Sequence, residues 1–371
     1  MAKTDSDEVL WIDPRTLRPI GQERVPIPVQ TWSQALHADG RTLALAAGSV
    51  WIVDAEAMRV TTSRRVRGGV MGLVWVGRHL AVLTQTAVRW LDRGGRQVSV
   101  TAIGGRPVRW GTTAHGLVVL TEGDADTSTP ATLVWSGPKD KARSVELDDV
   151  VAGYLADEGQ VGTVVTPGMA IDAADDRAVI VQSEGPIAEV DLRTMAVTYH
   201  DERSGGMLPS AEAKLSDWSS VEAEWLTDDL VAVWGTSTIT RIETEGIDET
   251  TMRDVPVGLS VLDVRTWSRC EIDPSVVDVV ITDGRVFARA TGGRRSDDSL
   301  VAYDATGRER WRRFGHRRTF DIDVYGPFVY AAMSWDGWLV RIIDAETGEF
   351  VGVRHHRPPT LLLSGGSDES E

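Results

Sequence analysis

A short phrase recurs along the chain and constrains its fold more than any other feature. Each copy has four or five largely apolar residues followed by Asp and a turn, as in residues 50–54, which end at Asp54. The Asp positions are Asp13, Asp54, Asp92, Asp191, Asp263, Asp304 and Asp344. A degenerate copy over residues 133–136 ends in Ser136. Most intervals are close to 40 residues, for example 41 from Asp13 to Asp54, so the chain is built from repeats.

Each repeat predicts four antiparallel β-strands. A hairpin precedes the Asp phrase, and its turn is Asp-Gly at residues 39–40 and 283–284, where Gly accepts the positive φ of a tight turn. The phrase itself is the third strand, and its Asp can accept hydrogen bonds from nearby backbone N–H groups. A fourth strand follows, as in residues 58–62. The pattern therefore predicts an all-β, closed β-propeller made of four-stranded antiparallel blades.

The number of blades follows from the positions of the phrase. Eight units are counted, and joining the two ends of the chain would place Asp13 about one period after Asp344. We therefore expect an eighth blade that is split between the termini, with residues 360–363 as its inner strand. Only one C-terminal strand is available, so this blade is predicted to be incomplete. Seven blades with a peripheral N-terminal hairpin is the alternative.

Two stretches carry a resemblance to known repeats. Residues 37–44, followed by residues 50–54, resemble the WD-repeat and YVTN-type repeats of bacterial propellers. Residues 303–307 and 343–348 are similar to quinoprotein-like propellers, in which Asp, a small residue and Thr-Gly end the third strand. The Gly-His and Trp-Asp dipeptides of true WD repeats do not recur at their set places, and no quinoprotein cofactor residues can be assigned. The resemblance implies the fold and carries no activity with it.

The composition favours one globular unit over residues 1–371, with insertions near 201–220 and 236–256. Hydrophobic residues make up 42% of the 371 residues, and the 14 Trp are expected to fill the gaps between blades. No apolar run is long enough to span a membrane. The first eight residues are polar and acidic, unlike a secretory signal, and Cys270 is the only cysteine. We therefore expect a cytoplasmic protein and a monomer, with an exported protein that has lost its signal as the alternative.

The net charge of −16 argues against nucleic acid as a partner. One arginine-rich stretch, residues 308–318, could be an anion site. We interpret it instead as the outermost strand of a blade, where charge discourages edge-to-edge pairing. The sequence contains no Asn, and all but four of its 39 Lys and Arg residues are Arg. Such a composition is typical of a GC-rich bacterial genome.

Long polar connections predict where a partner would bind. The connections between second and third strands are enlarged at residues 122–130, 236–256 and 292–298, and together with the tip at residues 334–338 they are expected on one face of the ring. Binding surfaces concentrate on such loops, although polar insertions are also tolerated at surfaces without any role. The candidate partner-face residues are Asp124, Asp126, Arg294, Arg295, Trp335 and Trp338.

Motifs of conventional chemistry are not found. Asp124, Asp126 and Ser128 alternate as in a calcium loop, but the Gly and the later Glu of that loop are missing, so no metal site is predicted. No catalytic or cofactor-binding residue is predicted either. The favoured function is a non-catalytic interaction platform that binds a protein or other ligand through one loop face. The alternative is a propeller enzyme, a lactonase-like hydrolase or quinoprotein, in which at least three His, Asp or Glu side chains would meet at one channel mouth.

Overall fold

The computed structural model describes residues 2–3, 8–10, 25–26, 33–46, 48–57, 59–123, 129–155, 163–182, 185–200, 218–242, 250–291, 298–314, 318–334 and 338–356. The regular structure of these residues consists of β-strands. They include no helix of the length and apolarity needed to cross a membrane.

The N-terminal part forms a small antiparallel sheet, and three four-stranded sheets follow it. The N-terminal sheet contains β1 (Ala2–Lys3), β2 (Glu8–Leu10) and β3 (Val25–Pro26). Sheet 1 contains β4 (Ser33–Leu36), β5 (Thr42–Ala46), β6 (Ser49–Asp54) and β7 (Arg59–Arg65). Sheet 2 contains β8 (Gly72–Val76), β9 (His79–Leu83), β10 (Ala87–Leu91) and β11 (Gln97–Ala102). Sheet 3 contains β12 (Pro107–Thr112), β13 (Leu117–Thr121), β14 (Ala131–Ser136) and β15 (Arg143–Leu147).

Four more sheets follow after a short hairpin. The hairpin is β16 (Gly153–Leu155) and β17 (Thr163–Thr166). Sheet 4 contains β18 (Gly168–Asp172), β19 (Arg177–Val181), β20 (Ile187–Asp191) and β21 (Ala196–His200). Sheet 5 contains β22 (Trp218–Thr227), β23 (Leu230–Ile242), β24 (Thr250–Asp263) and β25 (Ser268–Asp273). Sheet 6 contains β26 (Val276–Thr282), β27 (Arg285–Ala290), β28 (Ser299–Tyr303) and β29 (Glu309–Phe314). Sheet 7 contains β30 (Arg318–Tyr325), β31 (Phe328–Ser334), β32 (Trp338–Asp344) and β33 (Phe350–His356).

In each of the seven sheets, the four strands pair antiparallel in the order in which they follow along the chain. This confirms the predicted unit of two hairpin strands, the Asp phrase and a fourth strand. Residues 309–314 of the arginine-rich stretch form β29, the fourth strand of sheet 6, as expected, whereas Arg318 begins β30 of sheet 7. In β29, Arg310 and Arg312 pair with Glu346 and Glu309, and Arg313 donates to the Gly348 carbonyl, so these charges serve contacts within the fold.

Apolar side chains packed between neighbouring sheets form the core. A separate cluster joins each successive pair from sheets 1 and 2 to sheets 6 and 7. Four tryptophans lie in different clusters: Trp90 between sheets 2 and 3, Trp135 between sheets 3 and 4, Trp234 between sheets 5 and 6, and Trp311 between sheets 6 and 7. All four are buried, which confirms for them the predicted role of Trp as a filler between sheets.

The Asp that ends the third strand organises the turn after it. The Oδ1 atom of Asp191 accepts hydrogen bonds from the N–H groups of Arg193 at 2.7 Å and Thr194 at 3.0 Å. Asp344 accepts in the same way from Glu346 and Thr347. The N–H of Thr194 holds the pKa of Asp191 below its usual range, because such a bond favours the charged carboxylate. The repeated Asp is therefore a turn residue.

We expect Asp191→Ala to lower the free energy of unfolding by about 1 kcal/mol, because two turn N–H groups lose their acceptor and bind only water. Asp344→Ala should shift stability in the same direction. Urea denaturation measures the effect, and Asp191→Asn, which keeps an acceptor, is the control. Unchanged stability together with loss of a binding activity would instead assign Asp191 to a ligand site.

Ser136, which replaces Asp in the degenerate copy, makes contacts with the preceding sheet. Its side chain is fully buried, and its hydroxyl accepts a hydrogen bond from Trp90 Nε1 at 3.0 Å and donates to Thr101 Oγ1 at 2.8 Å. These contacts tie sheet 3 to the third and fourth strands of sheet 2. A carboxylate at this buried position would lack water, so the departure from the repeat has a packing cause.

The outward faces of sheets 1 and 7 are also buried. Leu43, Leu45 and Val53 lie on the face of sheet 1 that points away from sheet 2, and their exposed fractions are 1%, 0% and 0%. Tyr330 and Ile342 lie on the face of sheet 7 that points away from sheet 6 and are buried as well. Another part of the chain must therefore cover each of these two faces.

Candidate functional site

Additions to the repeat concentrate on sheet 5 and its surroundings. Since adjacent strands run in opposite directions, connections from second to third strand and from one sheet to the next leave the sheets at the same end. We call this end the connection face; residues 122–130, 148–167, 201–217 and 236–256 belong to its enlarged connections. The hairpin β16–β17 lies in one of them and joins sheet 5 through parallel pairing of β17 with β22, at Val165↔Ser219. Sheet 5 thereby becomes six-stranded.

The described part of the insertion at 236–256 consists of strand. β23 and β24 continue to pair as far as Ile242↔Thr250, so a two-stranded ribbon extends beyond the rest of the sheet. The register shifts between Gly235 and Thr236, next to the Gly235↔Gly258 pair. Gly258 has a φ of +92°, and a Cβ atom on Gly235 would collide with the backbone of Ser220. These two glycines therefore permit the irregular passage from sheet to ribbon.

Arg109 connects sheets 3 and 5 at the base of these additions. It lies on β12, the first strand of sheet 3, and its Nη2 donates to Ser220 Oγ at 2.6 Å and to the Val221 carbonyl at 2.9 Å. Its Nε donates to the Pro167 carbonyl, just before sheet 4, and Nη2 lies 2.5 Å from Glu222 Oε1. The guanidinium thus links the first strands of sheets 3 and 5, although Arg109 and Val221 are 112 residues apart.

Burial and neighbouring charges shift the pKa values of Arg109, Glu222 and Glu224. Burial lowers the pKa of Arg109 and raises the pKa of Glu222, while the Arg109 charge opposes the rise at Glu222. Glu224 follows on the same side of β22, and burial together with the Glu222 charge raises its pKa to about 7. Although the Glu224 residue as a whole is exposed, neighbouring groups exclude part of the water around its carboxyl. Near neutral pH this carboxyl is therefore partly protonated.

The sequence pattern did not single out Arg109, Glu222 and Glu224. The available signal was the alternation of apolar residues with Glu222 and Glu224 along β22, since buried sheets seldom carry two carboxylates on one strand. Asp278 on β26, the first strand of sheet 6, adds to the rise of the Glu222 pKa. In the part of the chain that the structure describes, no three His, Cys, Asp or Glu side chains are grouped so that they could hold a metal ion.

The predicted partner-face residues fall mostly outside the described residues. Asp124, Asp126, Arg294, Arg295 and Trp335 all lie there. Trp338 begins β32, where its backbone pairs with Ser334 and His356. These six assignments stay predictions, as does the alternative of an enzyme with its site at a channel mouth.

A recess of about 410 Å³ lies on the opposite end of sheets 1 and 2. It is lined by Asp39, Arg41, Thr42, Ile52, Val53, Asp54, Thr61 and Arg93. Asp39 accepts from Arg93 at 2.7 Å and from the N–H groups of Arg41 and Thr42, and Arg41 pairs with Glu56. These charged side chains stabilise the turns around the recess. The recess therefore results from how the turns are arranged.

Comparison with known proteins identifies the fold. No protein-family model and no curated protein sequence matches the chain. Among solved structures, the dihydro-heme d1 dehydrogenase NirN has 16% identity and a TM-score of 0.64, over 97% of this chain and 73% of that one. Sqt1 of Saccharomyces cerevisiae has 13% identity and a TM-score of 0.55, over 87% and 84%. BamB from Moraxella catarrhalis has 12% identity and a TM-score of 0.51, over 93% and 96%.

These similar structures are β-propeller proteins, and at such low identity they show the fold alone. Together with the repeated four-stranded antiparallel sheets, they place this chain among the all-β proteins of propeller fold. Propellers include both interaction domains and enzyme-like members, so the activity must be argued from the site.

Proposed function

We propose that this protein is an interaction platform that binds a partner protein through its connection face, in the sector around sheet 5. The proposal is based on the ribbon that β23 and β24 form. A short turn is enough to join the second and third strands of several other sheets, as between β9 and β10 or between β5 and β6. Sheet 5 instead extends both strands far beyond its other members, to Ile242↔Thr250.

The neighbouring additions support the same sector. The β16–β17 hairpin pairs with β22, and the Arg109 contacts hold β22 against sheet 3. The ribbon thus rises from a base that is fixed by main-chain pairing and by a charged contact. Ordering such a base in advance reduces the conformational entropy that binding would otherwise cost. We assign recognition of the partner protein to this sector. The tight turns of the opposite face are assigned a role in the stability of the fold.

The test is a pull-down from an extract of the source organism with three forms of the purified protein. One form is intact. In the second, residues 238–254 are replaced by Asn-Gly, which suits a two-residue turn between the paired residues Ser237 and Val255. The third carries Asp228→Asn and Asp283→Asn on turns of the opposite face. We expect the ribbon variant to lose partners that the other two retain. Equal recovery by all three forms would refute this sector as the binding surface.

We also propose that the N-terminal sheet is the eighth unit of the ring and lies between sheets 7 and 1. Three observations support this arrangement. β1, β2 and β3 pair antiparallel in chain order, as the last three strands of a blade do. β2 contains the first two residues of the first copy of the repeated phrase, Val9 and Leu10, and β3 directly precedes sheet 1. The buried outward faces of sheets 1 and 7 require a cover. The predicted inner strand at 360–363 lies outside the described residues.

A further inference from the structure

β11 is the end strand of sheet 2, and no strand in the described part of the chain pairs with its outer side. Only β10 pairs with it, through pairs such as Arg89↔Val100. Residues 97–102, which form β11, include no charged side chain and no Pro. Val98 and Val100 are 39% and 45% exposed. Main-chain N–H and C=O groups on this strand edge, which we call the β11 edge, are a template for a further strand.

The end strands of the other sheets are less suited to such pairing. Charged side chains on an end strand discourage it. β7, β15, β25, β29 and β33 each contain at least one Arg. β21 has no Arg, Lys, Asp or Glu, but its Val197 and Tyr199 pack against the core between sheets 3 and 4. Of the seven described fourth strands, β11 alone combines a lack of charge with exposed large apolar side chains.

Two contacts show which segments lie beside β11. Arg64 Nη1 on β7 donates to the Gly95 carbonyl at 2.9 Å, in the turn that leads into β11. On β11 itself, Ser99 Oγ donates to the Pro138 carbonyl at 2.8 Å, in the turn between β14 and β15. β11 therefore lies between the fourth strand of sheet 1 and a turn of sheet 3.

These segments are basic, in contrast to the chain as a whole. β7 contains three Arg and no acidic residue, residues 89–102 contain three Arg and one Asp, and residues 137–141 contain two Lys and one Asp. Eight basic residues thus face two acidic ones, in a chain with 39 Lys and Arg against 55 Asp and Glu. Lys139 and Lys141 are exposed. The uncharged β11 edge therefore lies in positive surroundings.

The surroundings restrict what can occupy the edge. A second copy of this chain would bring the same basic segments against one another, which like-charge repulsion opposes. A nucleic acid would bind through its phosphates, but β11 has no Arg or Lys to receive them, and its exposed valines suit apolar side chains. Charge complementarity instead fits an acidic segment of another protein.

We propose that an extended acidic segment of a partner protein adds to β11 as a further strand of sheet 2, over residues 98–102. Main-chain hydrogen bonds would hold the segment, its apolar side chains would cover Val98 and Val100, and its carboxylates would meet Lys139 and Lys141. This surface lies on a different sheet from the ribbon, so the inference goes beyond the proposed function. Because the charges are exposed, binding should weaken as the salt concentration rises.

The test uses synthetic peptides and fluorescence anisotropy on the full-length protein. The probe is a fluorescent peptide of alternating glutamate and valine, which a protein of net charge −16 should not attract without a local positive site. One comparison peptide has lysine in place of glutamate. Another has alternate backbone amides N-methylated, which removes donors but keeps the charge. We expect N-methylation to weaken binding about tenfold or more, since each lost main-chain hydrogen bond lowers the affinity. The lysine peptide should bind more weakly than the glutamate peptide.

One pair of variants locates the strand. Val100→Glu places a carboxylate on the β11 edge, where it would repel the acidic peptide and remove an apolar contact. Val60→Glu makes the same change at a valine of β7 that is 37% exposed and whose strand pairs with sheet 1. We expect Val100→Glu to weaken binding of the glutamate peptide about tenfold or more, and Val60→Glu to leave it unchanged.

A second pair of variants tests the charge. Lys139→Gln with Lys141→Gln removes two charges from the turn between third and fourth strands of sheet 3. Arg193→Gln with Arg308→Gln removes two from the equivalent turns of sheets 4 and 6. We expect the lysine variant to bind the glutamate peptide about threefold more weakly than the arginine variant, as two exposed charge contacts would account for.

Four outcomes would overturn the inference. Equal binding of the N-methylated peptide would show electrostatic attraction without strand addition. Tighter binding of a fluorescent single-stranded oligonucleotide than of the glutamate peptide would identify a phosphate site instead. A parent protein that is dimeric in size-exclusion chromatography, and monomeric as Val100→Glu, would identify a second copy as the occupant. Loss of the glutamate peptide from the ribbon-shortened protein, or equal binding by Val100→Glu and the parent, would place the peptide elsewhere.

Discussion

Deletion of residues 1–26 is expected to destabilise the whole protein. In the proposed eight-unit arrangement the deletion uncovers Leu43, Leu45 and Val53 on sheet 1 and Tyr330 and Ile342 on sheet 7, all buried now. Full burial of such a side chain contributes about 1.5–3 kcal/mol, so even partial exposure of these two faces should cost about 5 kcal/mol or more. Circular dichroism melting and size-exclusion chromatography should show a strongly lowered melting temperature and aggregation through the exposed faces.

The matched control is deletion of residues 364–371, which lie beyond the predicted inner strand at 360–363. This shorter protein should melt like the parent. If the N-terminal deletion also melts like the parent, sheets 1 and 7 cover each other, and the ring closes with seven units. That outcome would assign the N-terminal sheet to the periphery, which is the alternative that the sequence left open.

Asp273→Ala is expected to lower the free energy of unfolding by about 2 kcal/mol, since it leaves the buried Tyr303 hydroxyl and Ser275 without their acceptor and removes one of the two carboxylates that Arg312 contacts. Asp273 ends β25 and is 8% exposed. Its Oδ2 accepts from Tyr303 OH at 2.6 Å and Arg312 Nη2 at 2.8 Å, while its Oδ1 accepts from the N–H and hydroxyl of Ser275. This network fastens the end of sheet 5 to sheet 6. Urea denaturation measures the loss, with the exposed Asp283→Asn as control.

The same network predicts a pH dependence. Burial opposes ionisation of Asp273, but hydrogen bonds from Ser275, Tyr303 and Arg312 outweigh it and lower its pKa to about 2. The unfolded chain should titrate near the ordinary value, about 3.9. The stabilisation is therefore complete above the unfolded pKa and is lost as pH falls through the folded one. The stability difference between parent and Asp273→Ala should shrink between about pH 4 and pH 2. A constant difference would contradict the network.

The Asp273 network and the Arg109 contacts show how polar groups supplement the apolar cores between sheets. Both sets of contacts link residues of different sheets, and both join strands that are not hydrogen-bonded neighbours. They differ in surroundings. Asp273 is fully engaged by its partners, whereas Glu224, two residues after Glu222 on β22, has a raised pKa and no partner among the described residues that holds it ionised. We therefore assign the Asp273 network to stability and place Glu224 at the base of the proposed binding sector.

The repeating unit could be predicted from the sequence because its determinants are local. Alternation of apolar residues, Asp-Gly at hairpin turns and Asp at the end of the third strand each act within a few residues. The structure confirms them at turns such as those after Asp191 and Asp344. The exception at Ser136 could be seen in the sequence but not explained, because its partners Trp90 and Thr101 belong to the preceding sheet.

The all-β class, the order of four strands in each unit and the end of the sheets at which long connections emerge could all be predicted from the sequence. The tertiary structure was needed to see that the β16–β17 hairpin joins sheet 5, that residues 236–242 and 250–256 continue as strands, and that Arg109 contacts Glu222. Strand periodicity reports which residues share a face. It carries no information about which distant edge or charge a segment will meet, because those contacts depend on how whole sheets stack.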